Sequence, residues 1–234
     1  VGEIFNIRME TDLTEWDDTV LDGGDGEWAA AAGLGGSSGG LSVTIDSTDV
    51  IYGDVDFTAL SYPSYIRSRF YVDPNGLSMS NGNSFRLAQW YEGSYALVLS
   101  VELRQDSGTQ YIRTMLRDDG YSNHYGGDVE LTDAEHYVEV RVVRASTTSS
   151  NDGSVELYLD GVLEDTLSGQ DIYNRVDWEH ARLGACYGPD TGTSGTFYID
   201  EFVLRDDDTE IGALDAGSGS IGAIAYDHNR RKAA

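Results

Sequence analysis

The chain has one cysteine, one lysine, three prolines and no long apolar run among its 234 residues. A lone Cys186 excludes an internal disulfide and a thiolate-held metal cluster. It lies in ARLGACYG, where a small core residue suits the pattern better than a nucleophile. Lys232 is the only lysine, so nearly all positive charge is arginine. The formal charge of −26 at pH 7 repels phosphate, which argues against nucleic-acid and anionic-membrane partners. It also keeps the surface solvated and fits a saline or calcium-rich setting. No stretch is long and apolar enough to span a bilayer, and VGEIFNIRME lacks the basic and apolar parts of a leader. The expected location is extracellular, with a leader already removed, or the surface of a particle assembled inside a cell, such as a virion.

What is abundant points to strands. Glycine (28 residues), aspartate and serine supply turns, and a 40% hydrophobic content is enough for a core. Period-two patterns run through YIRSRFYV (65–72), SFRLAQWY (84–91), YALVLSVELR (95–104), TQYIRTMLR (109–117) and HYVEVRVVR (136–144). SVELYLDG (154–161) and VLEDTL (162–167) meet at Asp160-Gly161, a hairpin signal. TDAEHY (132–137) is compatible with one helical turn capped by Thr132. Short strands, polar turns and no long helix point to an all-β sandwich or barrel over residues 1–205. Residues 206–234 differ, with a charged turn, two small apolar segments around a Gly/Ser linker, and NRRK at 229–232. They read as a C-terminal tail that either frays or docks on a neighbouring subunit.

GTFYIDEFVLR (195–205) is apolar on both faces, the mark of a central strand. Strict alternation sets Phe197, Ile199 and Val203 on one face and Tyr198, Asp200, Phe202 and Leu204 on the other. Asp200 among such neighbours has to be paired, hydrogen-bonded or bound to a cation.

Taken in order, METDLTEW, YIRSRFYVD, HYVEVRVVR with GSVELYLDGVLED, and ARLGACYG…GTSGTFYIDEFVL resemble successive strands of the concanavalin A-like, laminin-G-like jelly-roll superfamily, over residues 4–205. The resemblance implies two stacked antiparallel sheets, one of them concave. It also implies a structural Ca²⁺ between the N-terminal acidic turn and the last strand. The matching positions are Glu10 and Asp200, with backbone carbonyls near Gly40 as further oxygen ligands. Such an ion would clip the first and last strands together. The alternative is Asp200 satisfied by backbone or hydroxyl hydrogen bonds without a metal.

Glycosidases of this fold carry acid and nucleophile as E-x-D-x-E on one strand face. That pattern is absent, and Glu102, Glu139 and Glu156 stand singly. Alginate lyases of the superfamily need Gln-x-His beside Arg and Tyr, and no strand shows that pair. His124, His136, His180 and His228 are scattered and read as loop or surface residues. The expectation is a non-catalytic protein. Arginines and aromatics then carry the function. Arg67, Arg69, Tyr71, Arg86, Trp90, Tyr111, Arg113, Arg141 and Tyr158 are expected to line the concave face. There Tyr would stack on sugars and Arg would bind glycan carboxylates. The competing reading is a salt-bridged sheet surface, with the arginines paired to Glu102, Glu139 and Glu156. Two functions follow, with a polysaccharide hydrolase or lyase as a remote third. One is a carbohydrate-binding or adhesion module with a glycan or cell-surface polysaccharide as partner. The other is a virion or filament subunit that self-assembles through the tail.

Overall fold

The computed structural model describes residues 2–57 and 59–214; the expected tail beyond 214, with NRRK, lies outside the described residues. Among the described residues seventeen strands follow in chain order. The first six are β1 (Glu3–Ile7), β2 (Asp18–Val20), β3 (Gly26–Ala29), β4 (Gly40–Ile45), β5 (Ile51–Asp56) and β6 (Tyr65–Asp73). Then come β7 (Ser78–Met79), β8 (Ser84–Glu92), β9 (Ala96–Asp106), β10 (Thr109–Arg117), β11 (Asn123–Tyr125) and β12 (Val129–Glu130). The last five are β13 (His136–Val143), β14 (Gly153–Leu159), β15 (Val162–Gln170), β16 (Trp178–Tyr187) and β17 (Thr193–Arg205). They form two antiparallel sheets. One has nine strands, ordered β15-β14-β13-β6-β17-β4-β3, with β1 and β7 also on β17. The other has eight, ordered β11-β10-β9-β8-β16-β5-β2, with β12 on β10. Among the described residues no helix is long and apolar enough to cross a membrane.

One core fills the space between the sheets. Leu99, Val101 and Leu103 of β9 are wholly buried in it, as are Val138, Val140 and Val142 of β13. Rings bridge the two layers, with Phe85 and Phe197 5.4 Å apart. Each such side chain contributes about 1.5–3 kcal/mol by leaving water.

The sequence pattern of β17 places it correctly as a central strand, between β6 and β4. It misses one residue. Asp200 pairs with Tyr71 but Val203 pairs with Arg69, so Glu201 is the extra residue of a bulge, at φ 55°. Past the bulge the alternation is re-phased. Phe202 and Leu204 join Phe197 and Ile199 in the core, and Val203 turns outward with Asp200. The expected helical turn at 132–137 is also absent, being a bend leading into β13. Its would-be cap is committed elsewhere, since the Thr132 hydroxyl bonds the His136 ring (2.7 Å).

Beyond β17 the chain turns back over the outer face of the nine-stranded sheet, where Leu214 N–H donates to the Tyr71 hydroxyl (2.9 Å). At that turn Gly2 and Asp206 bond in both directions, Gly2 N–H to the Asp206 carboxylate (2.8 Å) and Asp206 N–H to the Gly2 carbonyl (3.2 Å).

Candidate functional site

The residues expected on one concave face divide among three places. Arg86, Tyr111 and Arg113 lie on the outer face of the eight-stranded sheet. Arg67, Arg69, Tyr71, Arg141 and Tyr158 lie on the outer face of the other sheet, on β6, β13 and β14. Trp90 is on neither. It is fully buried between the sheets, its ring 5.8 Å from that of Trp178. Alternation separates inside from outside but does not say which sheet an outward residue belongs to. Both outer faces here read as Arg and Tyr.

The outer face of the eight-stranded sheet gathers chemistry in cross-strand rows. Arg113, Glu102 and Arg86 form one row, which Tyr187 continues on β16. Met115, Ser100, Gln89, Arg182 and Asp54 form the next. Tyr91, His180 and Asp56 form a third. Glu102 holds Arg86 at 3.5 Å and Arg113 at 2.9 Å. Arg182 Nε donates to Asp54 (2.6 Å). Three exposed tyrosines cover these arginines: Tyr187 over Arg86 (4.6 Å), Tyr125 over Arg113 (4.4 Å) and Tyr95 over Arg182 (4.7 Å). Ring over guanidinium is a favourable cation–π contact. The three rings stay partly open to solvent and leave apolar surface for a sugar.

Gln89 sits at the centre, buried. With its amide turned to suit its neighbours, it donates to the Tyr91 hydroxyl (2.7 Å) and the Cys186 carbonyl (3.3 Å), and accepts from Arg86 Nη1 (3.1 Å). Burial drives the Tyr91 phenol far above its ordinary range, so it stays protonated. The Ser100 hydroxyl in the same row is fully buried and has no hydrogen-bond partner. His180 bonds Asp56 through Nδ1 and stacks on Tyr95 at 4.2 Å. Asp54, Asp56 and His180 each bring a ligand atom within 4.8 Å of the others. Gln89, Tyr91, His180 and Arg182 were not among the expected site residues. Arg86 and Gln89 are three positions apart and belong on opposite faces by strict alternation. A register shift between Arg86 and Ala88 brings them to the same one.

The residues implied for calcium lie elsewhere, at a loop spanning 33–40. Asp200 accepts from Leu34 N–H (3.0 Å), Glu201 N–H (2.8 Å) and the Ser37 hydroxyl. Glu10 accepts from Ser38 N–H (3.0 Å). Gly40 is closely backed, since a Cβ there would meet the Ala32 carbonyl oxygen at 2.3 Å and that of Ile199 at 2.9 Å. Burial pushes the Asp200 carboxyl up to about 8, more than its hydrogen bonds offset. The three donors satisfy Asp200 without a metal, the alternative the sequence left open. The carboxylates of Glu10 and Asp200 and the Ala32 and Ile199 carbonyls beside Gly40 offer oxygen of the kind a hard cation takes.

No family model and no curated protein matches the chain. Solved structures do match. The globular domain of Trypanosoma cruzi calreticulin superposes with a TM-score of 0.59 at 12% identity, over 88% of each chain. Endo-β-1,4-glucuronan lyase from Trichoderma reesei gives 0.57 at 15%, over 88% of this chain and 99% of that one. Alginate lyase Aly36B gives 0.58 at 13%, over 90% and 98%. The fold is the concanavalin A-like jelly roll. At such identities the likeness carries the fold alone. It is enough to correct the expectation of a non-catalytic protein. Two of these structures are polysaccharide lyases on the same sandwich. The missing E-x-D-x-E is a glycosidase feature and gives no ground for excluding catalysis on this fold.

Proposed function

We propose that the outer face of the eight-stranded sheet binds an acidic polysaccharide. The observation that carries this is the set of three exposed tyrosine rings on one face, each lying over an arginine. Tyrosine offers sugars a flat apolar surface, and arginine offers uronate carboxylates a planar fork. Lyases named for alginate and glucuronan on the same fold support this ligand class. Such binding would serve attachment in an extracellular or surface setting. The virion or filament reading rests on the tail at 206–234, of which residues 206–214 lie against this chain's own sheet and the rest lie outside the described residues. The test is titration with oligouronates and with neutral oligosaccharides of equal length. Salt-sensitive binding of the acidic series, weakened in Arg182→Ala and Tyr187→Ala, is expected. Equal or absent binding of both series refutes it.

A specific observation favours a second reading, cleavage by β-elimination. His180, oriented by Asp56, stands two residues from Arg182 on the same strand face and against Tyr95. A base beside a carboxylate-binding arginine can take the proton next to a uronate carboxylate as a C=C bond forms and the glycosidic C–O bond breaks, the departing oxygen taking a proton from water. Ultraviolet absorbance of the unsaturated product on incubation with polyuronates decides it.

We also propose Ca²⁺ as a structural ion at Glu10, Asp200 and the carbonyls near Gly40. Its support is a carboxylate whose burial outweighs its hydrogen bonds, with two backbone carbonyls close to Gly40.

A further inference from the structure

Three arginines stand side by side on the outer face of the nine-stranded sheet. Arg141 on β13 pairs directly with Arg67 on β6, and Arg67 pairs with Arg205 on β17. Like charges opposite one another on adjacent strands are destabilising, so the row needs counter-charges. Glu139 and Glu156 supply two from within the sheet, bonded to Arg67 (2.6 Å) and Arg141 (2.7 Å). The others come from the segment after β17. Asp207 takes Nε and Nη2 of Arg205, both at 2.9 Å. Asp208 takes Nε and Nη2 of Arg141, the second at 2.9 Å, in a bidentate grip. Arg67 is more than nine-tenths buried. Its Nε has no hydrogen-bond partner and lies 3.5 Å from the same Asp208 carboxylate.

The face also reads main chain. Glu139 accepts from the N–H groups of Ile211 (3.3 Å) and Gly212 (3.0 Å). Arg69 Nη1 donates to the Gly212 carbonyl (2.9 Å), and Tyr71 takes the Leu214 N–H. Carboxylates at one end and backbone amides at the other are what an acidic peptide presents. A polyuronate presents the carboxylates but not the run of peptide amides.

We propose that this face is a docking site for an aspartate-rich peptide segment of a partner protein, held shut in cis by residues 206–214. The cis segment is continuous with β17, so its effective concentration is high, and a partner displaces it by making the same contacts more completely. The Asp208 side chain is 44% exposed, which leaves its grip open to exchange from solvent. The body's charge opposes an acidic partner at long range, but salt screens it beyond about 8 Å under physiological conditions.

The probe is a fluorescent synthetic peptide with the sequence of residues 206–214. The receptor is the full chain carrying Asp207→Asn and Asp208→Asn, which loosens the cis segment without removing it. Peptide binding at least about tenfold tighter than to the native chain is expected, weakening as salt rises. Adding Arg141→Gln should abolish the gain, with circular dichroism and melting confirming that each variant is folded. A folded double variant that binds the peptide no better than the native chain overturns the proposal, as does a gain that survives Arg141→Gln. Should the double variant not fold, excess peptide should speed proteolytic cleavage of residues 206–214 in the native chain, and an unchanged rate overturns it equally. Preference for an oligouronate over the peptide, or dimerisation of the double variant in place of peptide binding, assigns the face to another occupant and also counts against it.

Discussion

Glu102→Gln separates the two readings of the eight-stranded sheet's outer face. Glu102 is the shared counter-charge of Arg86 and Arg113, with side-chain exposures of 10%, 18% and 24% respectively. Removing one partner costs about 3–5 kcal/mol in a buried pair and under about 1 kcal/mol at the surface, so about 2 kcal/mol is expected here. For a domain of this size that lowers Tm by about 4–8 °C. Binding should move the other way. A ligand carboxylate on the open side of either guanidinium sits about 7 Å from the Glu102 charge, a repulsion of about 0.6 kcal/mol in water and about 2.4 kcal/mol at an effective dielectric of 20. Lifting it should tighten an oligouronate by about tenfold, equivalent to 1.4 kcal/mol. The assay pairs a thermal melt with calorimetric titration of an oligouronate, on native and variant protein. Lower Tm with tighter binding supports the proposal. If affinity stays level or falls along with Tm, the arginines serve only the sheet, and the face is an ordinary salt-bridged surface.

The remaining predictions address the core, the loop at 33–40 and the segment after β17. Trp90→Phe should cost stability in a denaturant melt by leaving space beside Trp178, while oligouronate affinity stays unchanged. Gly40→Ala should destabilise by about 3 kcal/mol, because both neighbours its Cβ would strike are backbone carbonyls that cannot swing away. Ca²⁺ added to EDTA-treated protein should raise Tm in the native chain and not in Asp200→Asn; no shift in the native chain sinks the ion. Asp207, held by Arg205 at about 2, lies below its ordinary 3.8. It therefore contributes stability that is present above 3.8 and lost as pH falls through about 2. An NMR titration of its carboxyl carbon checks the direction.

Much of the sandwich was legible because it depends on patterning. The alternation of HYVEVRVVR and the Asp160-Gly161 turn each place one buried face, and they do so independently of the partner strand. Two irregularities defeated the same logic. The bulges at Glu201 and beside Leu87 have no glycine to announce them, yet each shifts every later side chain of its strand to the other face. The first misassigned Phe202 and Leu204. The second hid the meeting of Arg86 and Gln89. Trp90 failed as a site residue for a different reason, since an indole suits a core and a sugar platform equally in a one-dimensional reading. Arg205 was not expected beside Arg67 and Arg141, because the three are neighbours only through strand order. Pairing β6 with both β13 and β17 is a matter of topology, which spacing along the chain does not encode.

The double hydrogen bond between Gly2 and Asp206 has a practical consequence. The place where the sandwich begins and the place where its last strand lets go are one place. A sandwich built this way can be set into a surface loop of another protein as though it were a long hairpin, entering and leaving through a single gap. It can also be rewired. A short linker from residue 206 to residue 2, with a new opening at the exposed Ser107-Gly108 turn between β9 and β10, would change the order in which the strands are made and keep the strand pairings, at the cost of the Asp207 and Asp208 counter-charges.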